Sequence, residues 1–124
     1  MKYFILFIFA LLFSACTHQP DLTGFDAEAF KQDRGACGGK RGQQVAWLKA
    51  HKMNFQGATS NNIDDILGKP DLQQLADRNQ EYYIYFLEPG QQCSQKPSQA
   101  KSIAFRFSAM GLATEITFQN GVPL

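Results

Sequence analysis

The sequence predicts an α+β domain: two short helices packed on one face of a three- to four-stranded antiparallel meander sheet. Two observations predict it. The apolar residues repeat at helical spacing up to Pro70 and at strand spacing after it. Beyond that point "SIAFRF" (102–107) and "LATEITF" (112–118) alternate cleanly around a turn at Met110-Gly111. Pairing these strands so that residue numbers sum to 221 sets Ile103 opposite Phe118 and Phe105 opposite Ile116, with Arg106 opposite Glu115 on the other face. One register thus satisfies both apolar burial and a cross-strand ion pair.

The helices come first in the chain. In "FDAEAFKQDRGAC", Asp26 is placed to cap a short helix through Phe30, and Gly35, Gly38 and Gly39 around Cys37 end it in a turn. A phosphate cradle at these glycines would need a preceding strand and a GxxxxGK[ST] pattern, and neither is present. "RGQQVAWLKAHKM" (41–53) reads as the main helix, with Val45 and Leu48 on one face and Trp47, Met53 and Phe55 flanking it. Lys40, Arg41, Lys49, His51 and Lys52 read as its solvated basic side. In "GATSNNIDDILGKPD" (57–71), Thr59 is the expected N-cap and Ile63, Ile66 and Leu67 form the apolar stripe. Gly68 supplies a C-cap and Pro70 forbids continuation. Asp64 and Asp65 are expected to point outward; adjacent helical positions do not face each other, so they are not a carboxylate pair. "DLQQLA", the turn-like "DRNQ" and "YYIYFL" (82–87) then supply further strands, and "EPGQQCSQKPSQ" a loop.

The 124 residues suffice for one domain. Residues 1–15 read as a signal peptide, with Lys2 ahead of an apolar run from Tyr3 to Phe13 that is too short to span a bilayer. Leu12-Phe13-Ser14-Ala15-Cys16 resembles the lipobox of bacterial lipoproteins, with Phe13 where Leu is usual. The resemblance implies that Cys16 is lipidated, with palmitate among the acyl groups expected, and that residues 16–24 form a tether to a domain at 25–124. Removing residues 1–15 takes one basic residue, Lys2, from twelve, leaving eleven against eleven acidic ones and a net charge of zero. That excludes an electrostatic footprint for nucleic acid. With Cys16 lipidated, Cys37 and Cys93 remain, and an even pair in an oxidising compartment reads as a disulfide. The competing reading, a Cys37 nucleophile served by His51, needs a free thiolate.

No Ser/His/Asp set, metal cluster or cofactor motif stands out; His18 lies in the tether and His51 is alone. Catalytic residues, metal and cofactor are therefore all expected to be absent. Gly57-Ala58-Thr59, Ile63, Ile66-Leu67-Gly68 and Pro70-Asp71, followed by "YYIYFL" and the Phe107-to-Gly111 turn, resemble the signature of the SmpA/OmlA, or BamE-like, lipoproteins over roughly residues 41–120. The Cys37/Cys93 pair and "GFDAEAFKQDRGACGG" depart from that pattern. The resemblance implies a non-enzymatic, lipid-anchored protein of the bacterial envelope, on the periplasmic side of the outer membrane, that binds other envelope proteins, with outer-membrane protein assembly as the process it points to. The helix-helix-sheet unit is also similar to the repeat of β-lactamase-inhibitor proteins, which implies an alternative role as inhibitor of a periplasmic enzyme. A carrier of small apolar ligands is the third reading, resting on the aromatic wealth of Tyr82, Tyr83, Tyr85, Phe86, Phe105 and Phe107. Both faces of "YYIYFL" are apolar, so the segment holding Phe25 and Phe30 is expected to cover part of the sheet face that the helices leave open. A tyrosine-rich margin near Tyr83, Tyr85 and Arg106 is then the expected partner surface, with the basic side at Lys49 and Lys52 as the fallback.

Overall fold

A computed structural model describes residues 19–94 and 99–122. The leader at 1–15 and Cys16 lie outside the described residues. The helices are α1 (Ala27–Gln32), α2 (Val45–His51), α3 (Ser60–Leu67) and α4 (Gln91–Ser94). The strands are β1 (Leu72–Ala76), β2 (Gln80–Phe86), β3 (Lys101–Phe107) and β4 (Ala113–Asn120), in the order β1-β2-β3-β4 with every pair antiparallel. This is the expected α+β meander.

Local chemistry sets the boundaries. The Asp26 carboxylate accepts from the Ala29 amide at the start of α1, and the Thr59 hydroxyl accepts from the Asn62 amide at the start of α3. Gly68 ends α3 at φ 83° and ψ −177°, a region only glycine enters freely. The 41–53 segment is not one helix. A 3-10 turn at Arg41–Gln44 leads into α2, and a second at Lys52–Phe55 follows it. The tighter second turn carries Phe55 into the core and leaves Met53 at 62% exposure, where the sequence suggests a flanking core residue.

The hairpin register sums to 221 from Lys101↔Asn120 to Arg106↔Glu115 and slips by one at Phe107↔Ala113. Tyr83, Tyr85, Leu87, Ile103, Phe105, Phe107, Ala113 and Ile116 thereby meet Leu48, Phe55, Ile63 and Leu67 of the helical layer. The segment with Phe25 and Phe30 joins that layer instead of crossing to the opposite face. Phe30 is fully buried against Tyr85, and Phe25 stacks on Trp47 at 4.8 Å between ring centroids. The reason is its tie to α2 and the 3-10 turn after it: the Trp47 indole donates to the Thr23 carbonyl at 2.9 Å, and Asn54 of that turn donates to the carbonyl of Asp21. Only the turn beyond α1 reaches the opposite face, where Ala36 packs with Phe86, Ala100 and Leu72.

Candidate functional site

At one end of the sheet a polar node ties four segments together. Arg41 is fully buried. Its Nη1 lies 2.6 Å from Asp71 Oδ2 and donates to the Phe86 carbonyl at 3.2 Å, while Nε donates to the Phe30 carbonyl at 3.0 Å. The guanidinium carbon sits 4.4 Å from the Phe30 ring centroid, a favourable place for a cation. Asp71 also accepts from the Gly35 and Phe86 amides. Asp33 accepts from the amides of Gly38 at 2.6 Å and Arg41 at 3.0 Å. Burial alone would raise the Asp33 pKa. The backbone donations from Arg41, Gly38 and Lys40, with the Arg41 charge, outweigh it and hold the carboxyl below its ordinary value. Arg41 is thus not part of a solvated basic face; a buried carboxylate contributed by the start of the sheet takes it inside. The glycine turn is equally occupied. Two of its amides already hold this chain's own carboxylates, and Cys37 is bridged to Cys93 with a Cα–Cα distance of 5.5 Å. A bridged Cys37 offers no nucleophile to His51, whose ring stacks on Trp47 at 4.4 Å.

The margin expected at Tyr83, Tyr85 and Arg106 does not form one surface. Strand alternation and the pairing Tyr82↔Arg106, Tyr83↔Phe105 put the two tyrosines on the helical face and Arg106 on the other. Tyr85 is fully buried, and its hydroxyl donates to the Gly68 carbonyl at 2.8 Å. Burial first, then the nearby Asp64 and Tyr83, push its phenol far above its ordinary value. Tyr83 packs edge-on against Phe107 and shares a hydrogen bond with Ser60; burial and the Glu81 charge raise its pKa. The two tyrosines therefore hold α3 to β2 at both ends. Asp64 is half-buried beside them, with Oδ1 wholly shielded and no hydrogen-bond partner, whereas Asp65 points outward as expected. Arg106 lies 5.6 Å from the Tyr82 ring centroid, donates to Gln80 and pairs with Glu115 at 3.9 Å.

A recess that could take a ligand lies elsewhere, where α2 overhangs the start of β3 and the end of β4. Val45, Leu87 and Phe118 give it apolar walls, and Lys49, Glu88, Lys101, Gln119 and Asn120 line it with polar groups. Its volume is about 470 Å³ and it opens to solvent. Lys49 Nζ stands 5.7 Å from the Phe118 ring centroid. Lys101 pairs with Glu88 at 3.9 Å, with both side chains exposed, so the contact is weak. The arrangement suits an apolar group carried next to negative charge. The sequence sets Val45 and Lys49 one helical turn apart and Phe118 on the last strand, but carries no signal that α2 sits over that strand.

Among the described residues no group of three His, Cys, Asp or Glu side chains could hold a metal ion, and no helix is long and apolar enough to cross a membrane. Comparison with protein-family models, curated proteins and solved structures finds no match to this chain.

Proposed function

We propose that the chain is a non-enzymatic, lipid-anchored protein of the bacterial envelope whose domain is a protein-binding or scaffold module, of the kind the BamE-like resemblance implies. The observation that carries the binding role is the open cleft between α2 and the β3–β4 end, apolar within and lysine-flanked at its mouth. The address rests on the leader and Cys16, and the bridged Cys37–Cys93 pair supports an oxidising compartment.

Affinity capture of the full chain from detergent-solubilised envelope tests the binding role. The expected result is a protein partner retained at low salt and released as salt rises, because exposed lysines contribute. A second reading, a carrier of small apolar ligands, is favoured by the volume of the cleft, which falls within the range of small-molecule sites. Recovery of a co-purifying small molecule in place of a protein would select it. Fractionation of Cys16→Ala tests the anchor: the variant should leave the membrane fraction and lose acyl label.

A further inference from the structure

We propose that the outer edge of β4, with the cleft at its end, receives an extended acidic segment of a partner protein as an additional strand. The inference rests on the reading of the domain as a protein-binding module and names the surface and the chemistry of the partner.

The hydrogen-bond ladder identifies the free groups. The Gly121 amide donates to the Ala100 carbonyl, so Ala100 and Gly121 face each other as a hydrogen-bonded pair. Alternation in an antiparallel ladder then directs the amides and carbonyls of Glu115, Thr117 and Gln119 toward β3, and those of Ile116, Phe118 and Asn120 away from it. At the start of β4 the outward groups of Ala113 are already taken, its carbonyl by the Gly57 amide and its amide by the Ala58 carbonyl. No described strand pairs with β4 on the side away from β3 between Ile116 and Asn120. The side chains on this edge are apolar or neutral, without the proline or inward charge that usually blunts an exposed strand.

Two features select the occupant. An added strand would point alternate side chains at the helical face, where the Val45, Leu87 and Phe118 walls accept an aromatic or branched apolar group. Lys49 and Lys101 flank those walls, and the one acid among the lining residues, Glu88, is exposed, accepts from the Lys101 amide at 3.2 Å and lies 3.9 Å from the Lys101 ammonium. Carboxylates on the incoming strand complement the two lysines and compete with Glu88 only for the screened ammonium of Lys101, leaving its bond to the Lys101 amide in place.

The test uses the ¹⁵N-labelled full chain in detergent and amide hydrogen exchange at Ile116, Phe118 and Asn120. The probes are an acetylated peptide alternating glutamate with valine around a phenylalanine, its lysine counterpart, and phosphatidylglycerol vesicles. The acidic peptide should slow exchange at these amides by about tenfold, and the lysine peptide should not. Lys49→Glu and Lys101→Glu, both surface changes, should each weaken the acidic peptide by about tenfold with the fold intact. Asn120→Pro removes an outward donor without touching the ladder to β3 and should abolish protection. Unchanged exchange with the acidic peptide, equal protection by the lysine peptide, or protection by the vesicles instead would each overturn the proposal. Failure of the module reading is separate: it shows as envelope capture that yields no protein. A captured partner that leaves the β4 amides exchanging freely would keep the module and reject this surface.

Discussion

Arg41 and Lys49 belong to the same basic stretch of sequence, yet they lie in opposite environments. Around Arg41 nearly every polar group is paired, through Asp33, Asp71 and the carbonyls of Phe30 and Phe86. Around Lys49 the side chain stands over an aromatic ring at the mouth of a cleft, beside strand edge groups that point outward. One flank is closed by the chain's own polar groups and by a disulfide. The other presents similar chemical types, lysine, carboxylate, amide and apolar wall, joined only by exposed contacts such as Glu88 with Lys101. Buried polar groups must find partners inside the fold, so the first flank is architecture. The second flank is where an external partner has something to satisfy.

The largest effect should come from breaking the closed flank at its centre. Arg41→Ala strands the Asp71 carboxylate in the interior and removes donors to two carbonyls. Denaturant titration should show a loss of roughly 5 kcal/mol, enough to unfold a marginal domain of this size. Next is the covalent tie. Cys37 and Cys93 are 56 positions apart, and the chain-entropy account assigns such a loop about 4 kcal/mol. Cys37→Ser combined with Cys93→Ser should lower the unfolding midpoint accordingly, and reduction of the wild type should reproduce the shift.

A smaller effect sharpens the role of Tyr85. Tyr85→Phe removes the hydroxyl's bond to Gly68 and should cost about 1 kcal/mol in thermal unfolding. It should also change the alkaline limb of the stability profile. The phenol's pKa is raised in the folded state, so its contribution is complete below the ordinary value of 10.0 and is lost as pH rises above it. The variant should lose less stability above that pH than the wild type. Asp33 acts at the other end. Its pKa is depressed on folding, so its contribution is present above the ordinary value of 3.8 and is lost as pH falls below it. Asp33→Asn should flatten the acid limb. The smallest effect belongs to the exposed pair: Arg106→Ala, which breaks the contact with Glu115, should shift stability by no more than about 0.5 kcal/mol.

Legibility followed the range of the interaction. The Asp26 and Thr59 caps and the stop at Gly68 depend on neighbours a few residues away, and all were readable. So was the β3–β4 register, because one offset satisfied both faces of the hairpin. The Arg41 node was not readable. An arginine at the start of a basic helical run resembles a solvated one, and its carboxylate partner lies 30 positions further on. Tyr83, Tyr85 and Arg106 were misjoined for a different reason. Even and odd positions of paired strands lie on opposite faces, and the tyrosines' parity in that register places them under α3 and away from Arg106. The cleft depends on how α2 sits over β4, a packing relation that periodicity alone does not contain.

The contrast between a closed and an open flank is tested most directly by native-state hydrogen exchange on the full chain without any partner. The amides of Gly35, Gly38, Arg41 and Phe86 donate to the node's carboxylates and should exchange only through global unfolding. The outward amides of Ile116, Phe118 and Asn120 should exchange orders of magnitude faster in the same sample. If those three amides prove as protected as the node, a segment of the chain already occupies the β4 edge, and the account of an open flank is wrong.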